Sequence, residues 1–384
     1  MIYLDNAAST RVADEVIALM TEIMRTDYGN PSAGHPAGAA ARRRIATGRG
    51  QLLAALGDPD GVGGDMVWTS GGTEGNALGV LGPARARGPG SVVVSVLEHP
   101  AVAASAAQLG DGYPVRIAPA HGEGVIDVDA TVALIDDDTR VVAVMLVSNE
   151  LGSVQPVAAI AQAVKARAPG CHVHCDATQA LGKIDVDVGA LGVDSLGVAG
   201  HKLHGPKGCG ALWLRHDARL TPLWGGGGQQ GGRRHGTQDA PGAAGLGLAA
   251  MRAVAARAEA ARRWIGMSER VTAAVAEAGV PWRRLGGEHR TPHILSLAVA
   301  GVAADALRMV LASRGVIVSS GSACASAPGS ADKGKGSPAL DAIGLPPSWG
   351  MVRLSFGLDT TDDEVAQAAP MVAAAIRELA GMAS

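Results

Sequence analysis

Short apolar runs alternate with helical patterns along this chain, and the runs stop just before clusters of polar residues. Residues 65–69, 91–96, 139–147, 172–175 and 210–214 read as strands. Residues 12–25, 38–56, a segment from about Glu74, and 157–167 read as helices among them. That alternation is the pattern of an α/β domain on a mostly parallel sheet. In open sheets of this kind ligands bind outside the carboxyl ends of the strands, so the residues following each run are the candidates for chemistry. A long Ala/Arg-rich helical stretch at 243–278 then leads to a smaller C-terminal region. There 294–299, 316–319 and 351–355 read as strands and 303–313 as a helix, and a last helix starts near Thr361, whose spacing to Glu364 is that of a capping box. The 384 residues are enough for one large and one small domain, each with a sizeable core.

The strongest single position is Lys202, in Asp194-Ser-Leu-Gly-Val-Ala-Gly-His-Lys-Leu-His-Gly-Pro-Lys-Gly208. A lysine ending a buried apolar segment is costly unless it is neutral or covalently occupied. One common solution is a Schiff base to pyridoxal phosphate. Thr69-Ser-Gly-Gly-Thr-Glu-Gly-Asn76 follows a strand and opens a helix. Its backbone N–H groups and Thr73 suit a phosphate, though an ordinary strand-to-helix turn reads the same way. It has neither a P-loop ending nor dinucleotide glycine spacing.

Asp176 closes the run His172-Val-His-Cys-Asp176, where its carboxylate either pairs with a protonated pyridine nitrogen or caps a helix. The tract 171–175 also resembles a metal site. In a strand, however, Cys171, Val173 and Cys175 face one side and His172 and His174 the other, so four converging ligands are not expected and no metal is assigned. His99, after another strand, suits ring stacking and proton transfer, or a plain loop hydrogen bond. Asn149 follows the run 139–147. The Gly-rich segment 225–237 is a flexible linker or, through Arg233, Arg234 and Thr237, an anion site. Cys324, flanked by Ser, Gly and Ala, reads as an accessible thiol at the start of a mobile loop at 325–337. Arg353 suits bidentate binding of a substrate carboxylate, or a surface ion pair.

Together these segments resemble the cysteine desulfurases of the NifS/IscS type, within the class V aminotransferase-like pyridoxal phosphate enzymes. The resemblance runs from Tyr3-Leu-Asp-Asn-Ala-Ala8 and Asn30-Pro-Ser-Ala-Gly-His35 through Ser70-Gly-Gly-Thr-Glu74, Glu98-His-Pro100, Asn149-Glu150, Asp176-Ala-Thr-Gln179 and Gly200-His-Lys202. It ends with Arg234-His-Gly-Thr237, Ser319-Ser-Gly-Ser-Ala-Cys324 and Arg353-Leu-Ser355. It implies fold type I of the pyridoxal phosphate-dependent transferases: a large domain with a mostly parallel seven-stranded sheet at 15–255, and a small α+β domain from 1–14 and 256–384 that carries the cysteine loop.

The resemblance also implies roles. Lys202 holds the cofactor and later acts as a base, with Asp176 on the ring nitrogen and His99 stacked on the ring. Gln179 and Asn149 reach the phenolic oxygen or the substrate. Gly72, Thr73 and His201 hold the phosphate, with Thr237 arriving from the second subunit of a homodimer. Arg353 binds the carboxylate of L-cysteine, and Cys324 takes its sulfur as a persulfide, leaving alanine. The sulfur then passes to an acceptor protein docking at the Cys324 loop, for iron–sulfur cluster assembly, tRNA thiolation, cofactor biosynthesis or DNA phosphorothioation. A selenocysteine lyase, another C–S lyase on the same fold, or a cofactor-free sulfur-carrier scaffold are the rival readings.

Three positions depart from the family pattern. Ala199 stands where a phosphate-binding Ser is usual, Gly357-Leu358 where Gly-Arg is usual, and the Cys324 loop is longer, with Lys333 and Lys335 inside it. The first predicts weaker cofactor retention unless another group compensates. A formal net charge of -3 without a basic stripe gives no nucleic-acid surface. No apolar run is long enough for a bilayer and the first residues lack a signal-peptide layout, so the expectation is a cytoplasmic protein that does not enter a membrane.

Overall fold

The computed structural model describes residues 1–320 and 337–383. Cys324, Lys333, Lys335 and all but Ser337 of the expected loop lie outside the described residues. The strands are β1 (Ile2–Tyr3), β2 (Gly64–Thr69), β3 (Ser91–Ser95), β4 (Val115–Ala118), β5 (Thr139–Ala143), β6 (His172–Asp176), β7 (Ser195–Ala199), β8 (Gly210–Arg215), β9 (Trp282–Arg284), β10 (Ile294–Ala300), β11 (Val316–Ile317) and β12 (Trp349–Ser355). Seven of them form one sheet in the order β2-β8-β7-β6-β5-β3-β4. Only β8 runs against its neighbours; the other pairs are parallel. The mostly parallel seven-stranded sheet is therefore present. A three-stranded antiparallel sheet, β12-β10-β9, follows in the C-terminal region, and β1 pairs with β11.

Three sequence readings shift at their edges for local reasons. The expected strand at 139–147 ends as β5 at Ala143, although Val144 and Leu146 still donate to His174 and Asp176. Between them the Met145 N–H donates to the Glu98 carboxyl at 2.6 Å, which takes the chain out of the ladder. The strand expected at 316–319 is only β11; Ser319 instead exchanges backbone hydrogen bonds with Arg353. The edge strand β4 escaped sequence reading because its apolar Val115 and Ile117 are its exposed residues.

The helix Ala240–Ala276 ties the molecule together. Its first half puts Ala243, Leu246 and Ala250 into the core under the large sheet. Its second half puts Ala260, Trp264 and Val271 into a separate core with Leu4, Leu295, Val352 and Ile376. Each such buried leucine, valine or isoleucine contributes roughly 1.5–3 kcal/mol by leaving water. The Trp264 indole also donates to Gly357 O at 3.1 Å, so its burial leaves no N–H unpaired. Among the described residues no helix is long and apolar enough to cross a membrane.

Candidate active site

A cavity of about 480 Å³ opens at the carboxyl ends of the large sheet's parallel strands, where sheets of this kind bind ligands. Its walls include Gly72, Thr73, His99, Asn149, Asp176, Gln179, His201, Lys202 and Arg353. Nearly every site residue expected from sequence is thus brought to one place. The two exceptions are Cys324, which is not described, and Thr237, which is exposed and does not line the cavity.

Lys202 ends a short 3-10 turn, Gly200–Lys202, directly after β7. Its Nζ donates to Ala7 O at 2.6 Å and to Ala8 O at 2.8 Å, so the N-terminal segment forms part of the wall. A second, buried lysine, Lys183, donates from Nζ to the main-chain oxygen of Lys202 at 2.5 Å. Burial, with the Lys202 charge adding to it, pushes the Lys183 amine down to about 7.

Asp176 is the last residue of β6 and is buried. Its Oδ1 accepts from Thr178 N at 2.9 Å and its Oδ2 from Asn76 Nδ2 at 2.6 Å. Asn76 Oδ1 lies 3.1 Å from His174 Nε2, and Ser195 Oγ lies 2.9 Å from His174 Nδ1 and 2.8 Å from His172 Nε2. His172 Nδ1 has no partner among the described residues, which is tolerable only if it is the unprotonated nitrogen. The chain then has one direction: His172 donates to Ser195, Ser195 to His174, His174 to Asn76, and Asn76 to Asp176. Burial keeps both rings neutral, holding His174 down to about 4 and His172 well below its ordinary value. The two histidines share one face of β6, as strand alternation predicts. Two glycines make room for the chain: a Cβ on Gly79 would meet His174 Nδ1 at 2.3 Å, and one on Gly197 would meet Asn76 Oδ1 at 2.5 Å.

His99 caps the helix Pro100–Ala107, its Nδ1 accepting from Ala101 N at 3.1 Å. The neutral ring therefore carries its proton on Nε2. Burial lowers its affinity for a second proton against the opposing charge of Asp176. Glu98 beside it is half-buried with its carboxyl turned inward, where it accepts from Ser95 Oγ and Met145 N, and burial of that group pushes it up to about 8. His201 is driven down to about 4 by burial and by Lys202 and Lys207.

Arg353 is 2% exposed, which rules out the surface ion pair considered from sequence. Its Nη1 donates to Asn149 O at 2.5 Å, its Nη2 to Asp5 Oδ1 at 2.9 Å, and its Nε has no partner among the described residues. A fixed, incompletely satisfied guanidinium on a cavity wall suits a carboxylate. Gln179 Nε2 donates to Ala7 O at 2.8 Å, so its amide braces the N-terminal wall as well as lining the cavity. The anion site considered for Arg233 and Arg234 does not form in this chain. Arg233 pairs with Asp65 at 3.2 Å, and Arg234 pairs with Glu74 at 2.8 Å while stacking over Trp224.

The cavity fits pyridoxal phosphate on its own chemistry. It offers a lysine amine, a carboxylate held by two donors, a histidine ring, and the bare start of the 16-residue helix Gly72–Arg87 for an anion. Thr178 Oγ1, buried without a partner among the described residues, borders that helix start. Sequence reading missed Asn76 and Lys183, which reach Asp176, His174 and Lys202 on other segments, and Thr178, which donates to Asp176 within its own.

This fold and this site define a pyridoxal phosphate-dependent enzyme of the type I fold. The profile of the aminotransferase class-V family matches residues 2–367. The chain belongs to that family, and within it to the cysteine desulfurases of the NifS/IscS type. It is 32% identical over 388 residues to the cysteine desulfurase IscS of Methanosarcina thermophila, covering 99% of this chain and 93% of that one. Among solved structures, a NifS-like protein superposes with a TM-score of 0.88 at 29% identity, covering 97% of this chain and 98% of that one. A structure described as SspA in complex with cysteine matches with a TM-score of 0.78 at 29% identity, covering 93% of this chain and 99% of that one.

Proposed function

We propose that this chain converts L-cysteine to L-alanine, passing the sulfur to Cys324 and then to an acceptor protein. The observation that carries this reading is the meeting of Lys202, Asp176, His99 and Arg353 around one cavity whose far end suits a phosphate. The names of its relatives and the cysteine-bound structural neighbour support cysteine as the substrate. When bound, pyridoxal phosphate supplies an electron sink that makes the substrate Cα–H acidic.

The chain's own residues do the rest. Asp176, held by Asn76 and Thr178, keeps a ring nitrogen protonated. Arg353 orients the substrate carboxylate, and the Lys202 amine takes and returns a proton at Cα. His99 offers its Nε2 proton from a ring locked by the helix it caps. Gly72, Thr73 and His201 hold the phosphate on one side; Thr237, exposed here, completes the cradle from the second subunit of a homodimer. Asn149 and Gln179, which line the cavity, would reach the phenolic oxygen or the substrate.

The sulfur acceptor is a thiolate, and the other three cysteines are poor candidates. Burial pushes Cys171 and Cys209 up to about 12 and Cys175 well above its ordinary value. In the transfer, the Cys324 thiolate forms an S–S bond as the substrate C–S bond breaks, and the carbon skeleton leaves as alanine. Lys333 and Lys335, which follow Cys324 in the sequence, favour an acidic acceptor. Iron–sulfur assembly, tRNA thiolation and DNA phosphorothioation are the pathways such an acceptor would serve. A cytoplasmic, reducing location belongs to the same reading, supported by three unpaired cysteines. So does the division into domains at 15–255 and at 1–14 with 256–384, which the second core, from Leu4 and 260–376, supports, although Leu285, Ala298, Ile343 and Met351 pack into the first.

The test is alanine and sulfide production from L-cysteine with reductant, for wild type and Cys324→Ala. Both products from the wild type and neither from the variant is the expected result. A variant as active as the wild type would sink the persulfide step and favour a direct C–S lyase.

A further inference from the structure

We propose that Thr178 supplies the phosphate-binding hydroxyl that Ala199 removes. The inference rests on the cofactor reading above and adds a binding residue to it. A Cβ built on Gly72 would lie 3.2 Å from Thr178 Oγ1 and 3.3 Å from Ala199 Cβ. The hydroxyl and the methyl therefore flank one notch of the cavity wall over Gly72, too tight for a side chain on Gly72 itself. Thr178 approaches it from two residues beyond the end of β6, and Ala199 from the last residue of β7.

The state of the hydroxyl points the same way. Thr178 Oγ1 is buried and has no hydrogen-bond partner among the described residues. A buried hydroxyl is normally satisfied, and an orphan at the edge of a cavity marks a place for a ligand atom. Its backbone is fixed, because Thr178 N donates to Asp176 Oδ1 at 2.9 Å, and a β-branched side chain on a fixed backbone has few rotamers. The notch also lies at the N-terminus of the helix Gly72–Arg87, where backbone N–H groups favour an anion. A phosphate oxygen in the notch would accept from Thr178 and relieve the orphan. A serine at 199 would add a hydroxyl to the wall of the same notch, so one donor makes the other dispensable.

The experiment titrates apo-protein with pyridoxal phosphate and, separately, with pyridoxal, which lacks the phosphate. Wild type, Thr178→Val, Thr178→Ser, Ala199→Ser and Thr178→Val/Ala199→Ser are compared by the absorbance of the bound chromophore. Loss of one hydrogen bond to a charged group predicts roughly ten- to hundred-fold weaker binding of pyridoxal phosphate to Thr178→Val, with pyridoxal unaffected. Thr178→Ser should bind like the wild type, the double variant should recover, and Ala199→Ser alone should gain little. Unchanged affinity in Thr178→Val would overturn the inference, as would an equal loss for both ligands, which marks a merely structural role. If Thr178→Val does not fold, a ten-fold gain in Ala199→Ser alone would overturn it, because the notch would then have lacked a donor. A wild type that binds neither ligand would instead overturn the cofactor reading, and this inference with it.

Discussion

Asn76 and Asp176, a hundred residues apart in sequence, form a buried hydrogen bond of 2.6 Å that ends a one-way chain of donors. The chain aims its last N–H at the carboxylate proposed to address the cofactor ring. Asn76→Ala leaves two buried groups unpaired, Asp176 Oδ2 and the His174 Nε2 proton. Each such loss costs about 1–3 kcal/mol. The expected outcome is a lower urea midpoint together with a turnover reduced roughly ten-fold, since Asp176 gains freedom to rotate. A variant with wild-type midpoint and turnover would show that the chain does not position Asp176.

Glu98 gives a pH-dependent prediction. Burial raises its folded value from 4.5 to about 8. Between those values the folded protein holds a proton that the unfolded chain releases, so stability falls as pH rises through that window. Glu98→Gln keeps the neutral shape and removes the titration. Urea denaturation at the two ends of the window should show the variant gaining on the wild type toward the alkaline end. A constant difference would mean that Glu98 is ionised throughout.

Lys183 titrates in the opposite sense. Its folded value of about 7 lies below the 10.5 of a free lysine, so between them the unfolded chain binds the extra proton and stability rises with pH. Lys183→Met loses that rise along with the hydrogen bond to Lys202 O. The deficit of the variant in urea denaturation should therefore widen from the neutral to the alkaline end of the window. An equal deficit at both ends would show an amine that does not change charge there.

The sequence was informative where chemistry sits at a strand end and silent where it depends on partners from afar. Asp176, Lys202, His99 and Asn149 each follow an apolar run, and strand-end position alone nominates them. Lys202 Nζ, however, is met by the carbonyls of Ala7 and Ala8, almost two hundred residues away, and backbone oxygens leave no residue-type signal. Asn76 and Thr178 lay inside motifs already singled out, yet their roles come from His174 and from the Gly72 notch. Arg234 misled for the same reason: its partner Glu74 is on another segment, so an occupied cation looked like a vacant anion site. The edge strand β4 was invisible because its apolar residues face outward.

Arg353 separates geometry from charge. Its guanidinium is fixed by Asp5 and by Asn149 O, with Nε still to be satisfied. Arg353→Lys keeps the charge but not the planar fork, and a lysine cannot reach both anchors and a substrate carboxylate. KM for L-cysteine should rise ten-fold or more with a smaller change in kcat. A variant with unchanged KM would move carboxylate recognition to another residue.

His99 carries two duties that one substitution can divide. As a cap it accepts from Ala101 N, and asparagine is among the best residues for that task. In its proposed role as a proton carrier it offers Nε2–H, which asparagine cannot replace. His99→Asn should therefore keep the thermal midpoint, while His99→Ala should lose the cap, worth about 1 kcal/mol. Both should lose turnover by roughly a hundred-fold or more if the ring moves a proton in the reaction. The wild-type ring resists a second proton for two reasons: burial opposes the charge, and Nδ1 is already occupied as an acceptor. An acid limb in the wild-type pH–rate profile that persists unchanged in His99→Asn would belong to another group, and full turnover in His99→Asn would reduce His99 to its capping role.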